Sequence, residues 1–487
     1  MTSLLKWCVF VFLTGSLSAC AEEGEIKLYL VKSSDLTKAP LTEGLTRHVR
    51  IRVEGPGMSP KEAISPFHPG GSLRMPGILQ GKDRVITVEG LSSENGVVLS
   101  RGRSLPLDIG AGKQDVTIFI ARVGRFSDSP GNGLQHRLFG HVVVPDDHGY
   151  LVVASGASDG DMLAPERFLR KPIRINPMDM SYQAFDCEPC RLSKRVGGSV
   201  ISGASGFWLA GGRGENGEPI DAVDYVDTAN ETVADGALDL IPRTDAATIA
   251  FPNKTVIAGG LDGDENLLSD VEIVTTDGDV ITKRLPAARY GMASGRAGEM
   301  GLLFGGMAEN GEVSSDVFLF HSGTNKITQL DADLEARAFA SAVSLSDGRL
   351  LLIGGQDGSG NASGAIDLFD PAVGEVCPVG TLAFKRWFPA ASLLPDGRVL
   401  VIGGLTGSLP GQPSREVQVI DPTLTRIGPG CSEIDTPISI ENVEQASIPR
   451  YHASATLTQN SNVVLIGGFG GNRAPLQSME VFVPQEL

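Results

Sequence analysis

Arg137, Arg195, Arg243, Arg289, Arg337, Arg386 and Arg450 each stand 17 to 19 residues before a glycine that ends an apolar run. A guanidinium presents a planar fork of donors that matches a carboxylate bidentately. The six from Arg195 onward are therefore candidates for an anion-binding set. Tyr290, Trp387 and Tyr451 directly follow three of them, and such rings stack on a sugar or a peptide. His452 follows Tyr451. Glu215, Glu265 and Glu309 lie in loops after the glycines and are the candidates for an acid/base pair; solvated loop carboxylates are the plainer alternative. Asp262-Gly-Asp264-Glu-Asn266 imitates the start of a calcium loop, but Ile273 stands where the closing Glu belongs. The chain has no phosphate loop, no G-x-S-x-G and no H-E-x-x-H, so no metal or cofactor is expected.

These residues are set into a repeat. Four or five apolar residues end in a glycine pair at Gly211-Gly212, Gly259-Gly260, Gly305-Gly306, Gly354-Gly355, Gly403-Gly404 and Gly467-Gly468, with a degenerate copy at Ser155-Gly156. The second glycines are 56, 48, 46, 49, 49 and 64 residues apart. After each arginine comes a strand of small residues, such as Ala338–Ser344 or Ala390–Leu394. A hairpin signal follows, Asp347-Gly348 or Asp396-Gly397. The apolar run reads as the innermost, most buried strand. An alternating strand such as Val417-Gln418-Val419-Ile420 and a weaker fourth strand complete the unit.

Four strands in about 48 residues is the arithmetic of a propeller blade. The glycine pair in step with the arginine resembles the kelch repeat of the galactose-oxidase-like superfamily. The likeness covers Arg137 to the C-terminus and implies a seven-bladed β-propeller over residues 123–487. The last unit lacks a fourth strand, and Val123–Ser127 is expected to supply it and close the ring. By the same resemblance the repeat arginines face the channel mouth. Arg195, Arg243, Arg289, Arg337, Arg386 and Arg450 would then form a basic ring for an acidic group, flanked by Tyr290, Trp387, Tyr451 and His452. The competing role is purely structural, a hydrogen bond to carbonyls of the neighbouring blade. Tyr451-His452 resembles the copper pair of the oxidases, but the second His and the cross-linked Cys of that site have no counterpart. A periplasmic sugar isomerase or mutarotase of kelch type is the enzymatic alternative.

Residues 1–19 carry a lysine, a short apolar run and small residues, the layout of a secretory signal. Leu17-Ser18-Ala19-Cys20 resembles the lipobox of bacterial lipoproteins, which implies cleavage before Cys20 and its lipidation. Ala21 follows, not the Asp of inner-membrane retention, so an outer-membrane anchor is implied. In an oxidising compartment Cys187, Cys190, Cys377 and Cys431 are disulfide candidates, with 187–190 and 377–431 the pairing expected. Residues 20–122 lack the repeat. Strands at Ile26–Leu30, Val49–Val53, Val85–Val88, Val97–Leu99 and Val116–Ile120 suit a small immunoglobulin-like β-sandwich, read as a spacer or as a binding module.

Composition agrees with an all-β chain. Among 487 residues, 61 are glycine and 29 proline, together well above the ~12% of an average chain and spread along it as turn residues. The net charge of −17 argues against a nucleic-acid partner. The expectation is a monomeric lipid-anchored binding protein, touching the membrane through its anchor only. Its partner would be an extracytoplasmic protein or an anionic carbohydrate at the channel mouth.

Overall fold

The computed structural model of the chain describes residues 7–8, 25–33, 35, 39–42, 44–188 and 190–487. Apart from residues 7–8, the expected signal segment lies outside them, as does Cys20. The described chain is β throughout, with two short 3-10 turns at Pro130–Asn132 and Pro429–Cys431.

Residues 123–487 form seven four-stranded antiparallel sheets in a ring. The blades open with Val142–Pro145, Ser199–Ser202, Ala247–Phe251, Ala293–Ala297, Ser341–Ser344, Ala390–Leu393 and Ser454–Leu457. These first strands lie against one another around the axis. The apolar runs, such as Leu350–Ile353 and Val399–Ile402, are the second strands. The order corrects the expectation that the apolar run is innermost, and its cause is steric. Seven strands converge at the axis, where small residues such as Ser199, Ala247, Ser341 and Ser454 fit. The second strand is covered on both faces by adjacent blades, so it is apolar almost throughout, with Lys254 and Thr255 at the start of the blade 3 strand the polar exceptions. Val399–Ile402 is at most 1% exposed throughout.

Blade 7 is completed from the far end of the propeller. Arg125–Asp128 pairs antiparallel with Met479–Val483, and Val123 bridges to Val483. The ring has no open seam.

The N-terminal residues form a β-sandwich-like domain from one sheet folded on itself. Its order is Glu25–Lys32, Lys113–Arg122, Val98–Arg103, Gly81–Leu91, His48–Glu54, Lys61–Pro66, and only the first two are parallel. Alternation aims Ile26, Leu28, Val116, Ile118 and Ile120 at Val49, Ile51, Val53, Ile86 and Val88 in one core. The strand Lys113–Arg122 has a second buried face. Phe119 and Ala121 enter the cluster between blades 7 and 1, beside Leu138, Ile173, Val464 and Val481. Polar ties reinforce the seam. Arg101 donates to the carbonyls of Pro484 (2.9 Å) and Gln485 (3.2 Å). Asn460 Nδ2 donates to those of Arg103 (3.1 Å) and Pro177 (2.8 Å). The small domain is thus docked on the propeller by a shared core.

Candidate binding site at the channel mouth

The glycine pair is needed where successive blades touch. Gly211 and Gly212 have φ of +63° and +82°, a region that glycine alone adopts freely. A Cβ on Gly211 would lie 2.4 Å from the carbonyl oxygen of Arg243 in the next blade. The Gly212 N–H donates to that oxygen at 2.9 Å. The same contact recurs around the ring, from Gly260 to Arg289, Gly306 to Arg337, Gly355 to Arg386 and Gly404 to Arg450. The last member is Gly468, whose N–H donates to Leu138. Leu138, not Arg137, therefore occupies the repeat position in blade 1, and Arg137 is exposed.

The guanidiniums turn inward. Arg195, Arg337 and Arg386 are 0% exposed, Arg450 1% and Arg243 3%. Arg243 Nη1 donates to the carbonyls of Gly259 (2.8 Å) and Asp270 (2.9 Å), and its Nη2 to Glu272 (2.8 Å). Arg195 bonds Gly211 O, Ala222 O and Asp224 in the same manner. Arg337 pairs with Asp367 and Arg450 with Glu480. Arg386 meets the neutral Gln418 at 2.9 Å. Each acid or amide lies on the third strand opposite the residue two before the glycine pair. In blade 4 Phe318 holds that place, and Arg289 reaches Asp316 (2.6 Å) from a partly exposed position. In blade 1 Ile173 holds it.

The structure thus differs from the expectation of an accessible basic ring. Five of the six arginines staple strands of their own blade, not the neighbouring one. In each, an Nη group donates to the carbonyl of the first glycine of its own pair, Gly211, Gly259, Gly354, Gly403 or Gly467, which satisfies that buried acceptor. Burial pulls Arg337 and Arg386 down to about 10, which leaves them charged at neutral pH.

What does reach the mouth stands two residues after each repeat position. Gly140, Gly197, Asp245, Gly291, Phe339, Phe388 and His452 all have φ between +50° and +68°. Their backbones link blade to blade. The N–H of Gly197 donates to Gly140 O, Gly291 to Asp245 O, Phe339 to Gly291 O and Phe388 to Phe339 O. Left-handed geometry is costly for bulky residues, of order 1–3 kcal/mol each. Here it turns three rings toward the axis side by side. Phe339 and Phe388 are 4.6 Å apart between centroids, and Phe388 and His452 4.0 Å. Tyr290 extends the arc beyond Phe339 (6.1 Å), and Tyr451 beyond His452 (5.4 Å) toward Phe469 (5.2 Å). Phe339, Phe388, Tyr290, Tyr451 and His452 remain half-buried. The opposite side is polar. Asp245 is exposed and pairs with Arg213 at 2.7 Å. Burial pushes Tyr290 up, and the Asp245 carboxylate adds to it. Burial lowers His452 to about 4, so its imidazole is neutral at physiological pH.

Among the residues singled out in the sequence, Tyr290, Tyr451 and His452 come together at this mouth. Trp387 stands behind them: it is 6% exposed, packs with Ala362 and Leu405, and its ring lies 5.0 Å from that of Phe388 and against Phe339 and Tyr451. Phe339, Phe388 and Asp245 were not anticipated; their offset of two from the repeat arginine is the signal that marks them. Beyond the glycines each blade builds a short hairpin against the mouth. Leu261 bridges Thr244 and Leu267, Met307 bridges Tyr290 and Val313, and Phe469 bridges Tyr451 and Pro475. Glu215, Glu265 and Glu309 are exposed in these hairpins. Asp262 Oδ1 accepts the N–H groups of Asp264 (2.9 Å) and Asn266 (2.8 Å) within its own turn. Cys187 is bonded to Cys190, and Cys377 on blade 5 to Cys431 in the long loop of blade 6. No protein-family model matches the chain, and no curated protein matches it in sequence.

Proposed function

We propose that the chain is a lipid-anchored extracytoplasmic binding protein of kelch type, held to the outer membrane through Cys20 and acting as a monomer. It engages an extracytoplasmic protein on the channel-mouth face. The observation that carries this reading is the arc of half-buried rings, Tyr290, Phe339, Phe388, His452 and Tyr451, of which the middle three are held in place by left-handed backbone. Aromatic side chains fixed before binding supply contact area at small entropic cost and dominate protein interfaces. With five guanidiniums buried and bonded, a protein partner is favoured at the mouth over the anionic glycan. The sugar-isomerase alternative would need a carboxylate pair working at the mouth, and the exposed Glu215, Glu265 and Glu309 give it no special support.

The test is site-specific photo-crosslinking in intact cells of the source organism. A photoreactive side chain in place of Phe388 or Tyr451 is expected to give a discrete adduct. The same group in place of Asp277, in an exposed turn of blade 3, is expected to give none. Equal labelling from both positions, or none from the mouth, would overturn the reading.

A further inference from the structure

Blade 1 carries a groove that the mouth does not include. Its cavity measures about 550 Å³, within the range of sites that hold small organic ligands. The floor is formed by Leu138, Ile173 and Tyr182, and the rim by His136, Arg167, Arg170 and Lys171. Four basic residues on one groove are conspicuous in a chain of net charge −17.

The acids nearby neutralise this rim only in part. Arg167 stands 3.9 Å from Asp159, and its side chain is 79% exposed. Lys171 pairs with Glu188 at 2.9 Å, on the side away from the chain's core where Glu188 is 83% exposed. Arg170 has no ion pair among the described residues. The groove occurs in the one blade where both members of the repeat pair are apolar. Leu138 and Ile173 cannot fill the space as an arginine bonded to three acceptors does elsewhere, and both line the cavity.

We propose that this groove binds a carboxylated oligosaccharide. The apolar floor with Tyr182 suits the C–H face of a sugar ring. The guanidiniums of Arg167 and Arg170 suit carboxylates on successive residues. At about 550 Å³ the cavity is far larger than a lone anion. An acidic peptide shares the charge but lacks a ring face for the floor. The site is independent of the protein-docking reading of the mouth.

The probe is oligogalacturonate of three residues, titrated into the purified protein by calorimetry, with its methyl ester as the neutral control. Binding of the acid form is expected, weakening as salt is raised. Arg170→Ala combined with Arg167→Ala is expected to weaken it by about tenfold or more. Phe388→Ala at the mouth is expected to leave it unchanged. Arg167→Glu alone reports on the site should the double variant fail to fold, because that side chain is directed to solvent. The proposal is overturned if the acid form does not bind, or if the ester binds equally. It is also overturned if neither Arg167→Glu nor the double variant weakens binding, or if tetraglutamate binds more tightly than the uronate.

Discussion

Replacing Arg337 by leucine in blade 5 leaves the Asp367 carboxylate buried at 1% exposure with no counter-ion. Replacing Asp367 by isoleucine strands the guanidinium instead. Each single change is expected to cost about 3–5 kcal/mol, the range for breaking a buried pair from one side. The double variant copies blade 1, where Leu138 and Ile173 occupy the two places and share one apolar cluster. It removes both charges together. What remains is the loss of Arg337 Nη1 as donor to the carbonyls of Gly354 (2.8 Å) and Ala365 (2.9 Å), about 1–3 kcal/mol in all. The double variant should therefore be more stable than either single one. Asp367→Asn copies blade 6, where Arg386 meets Gln418, and should fall below Asp367→Ile in cost because an acceptor is kept. Urea unfolding followed by the fluorescence of Trp208 and Trp387 measures all four. If the losses of the single variants simply add in the double one, the pair is not a unit and the reasoning fails.

Three further outcomes are expected. Phe388→Gly should abolish the mouth crosslink yet destabilise less than a typical large-to-small change, because φ of +50° no longer carries strain; thermal unfolding beside the crosslinking assay reads both. His141 and His452 are each lowered by burial from the usual 6.5 to about 4. Between those values the unfolded chain binds the protons and the folded one does not, so stability is complete above about pH 6.5 and lost as pH falls toward 4. His452→Gln should make that acid limb shallower, leaving the share of His141, and an unchanged limb would count against a neutral imidazole at His452. Loss of the Cys377–Cys431 bond, which closes a separation of 54 residues, should cost about 4 kcal/mol on chain-entropy grounds and Cys187–Cys190 much less. Serine variants compared by urea unfolding decide the order.

The propeller was legible because its two markers are backbone requirements. A glycine with a carbonyl 2.4 Å from its Cβ position cannot be replaced cheaply, so it recurs in six of the seven blades in register, with Ser155 in its place in blade 1. The closing strand was legible from a missing one: Val123–Ser127 was expected, and Arg125–Asp128 pairs there. Sandwich strands with alternating apolar residues were legible too. Lys61–Pro66 was missed because only Ser65 in it is buried, which leaves no period to read. The mouth was legible only in part. Position after an arginine locates a residue along the chain but not on which side of the wall its side chain ends. At the same offset of one, Trp387 is buried against Phe388 while Tyr290 and Tyr451 stay half-buried, and Phe388, two residues on and left-handed, turns to the axis. The direction of the guanidiniums was decided by acids nearly 30 residues later, such as Asp224 and Glu272, whose inward register emerges only when the third strand is paired.

Arg137 explains why the irregular blade matters. It keeps rough step with the other arginines, at 19 residues from its glycine instead of 17 or 18, and so reads as one of them. One residue of shift puts Leu138 in its place, and Ile173 replaces the acid. Those two residues fall in the cluster that receives Phe119 and Ala121 of the sandwich. An ion pair there would have placed a charge against an incoming apolar strand, at a desolvation cost no partner on that strand could offset. The apolar exchange in blade 1 is thus what lets the small domain dock. The same exchange leaves the arginine-lined groove open over Leu138 and Ile173 in blade 1.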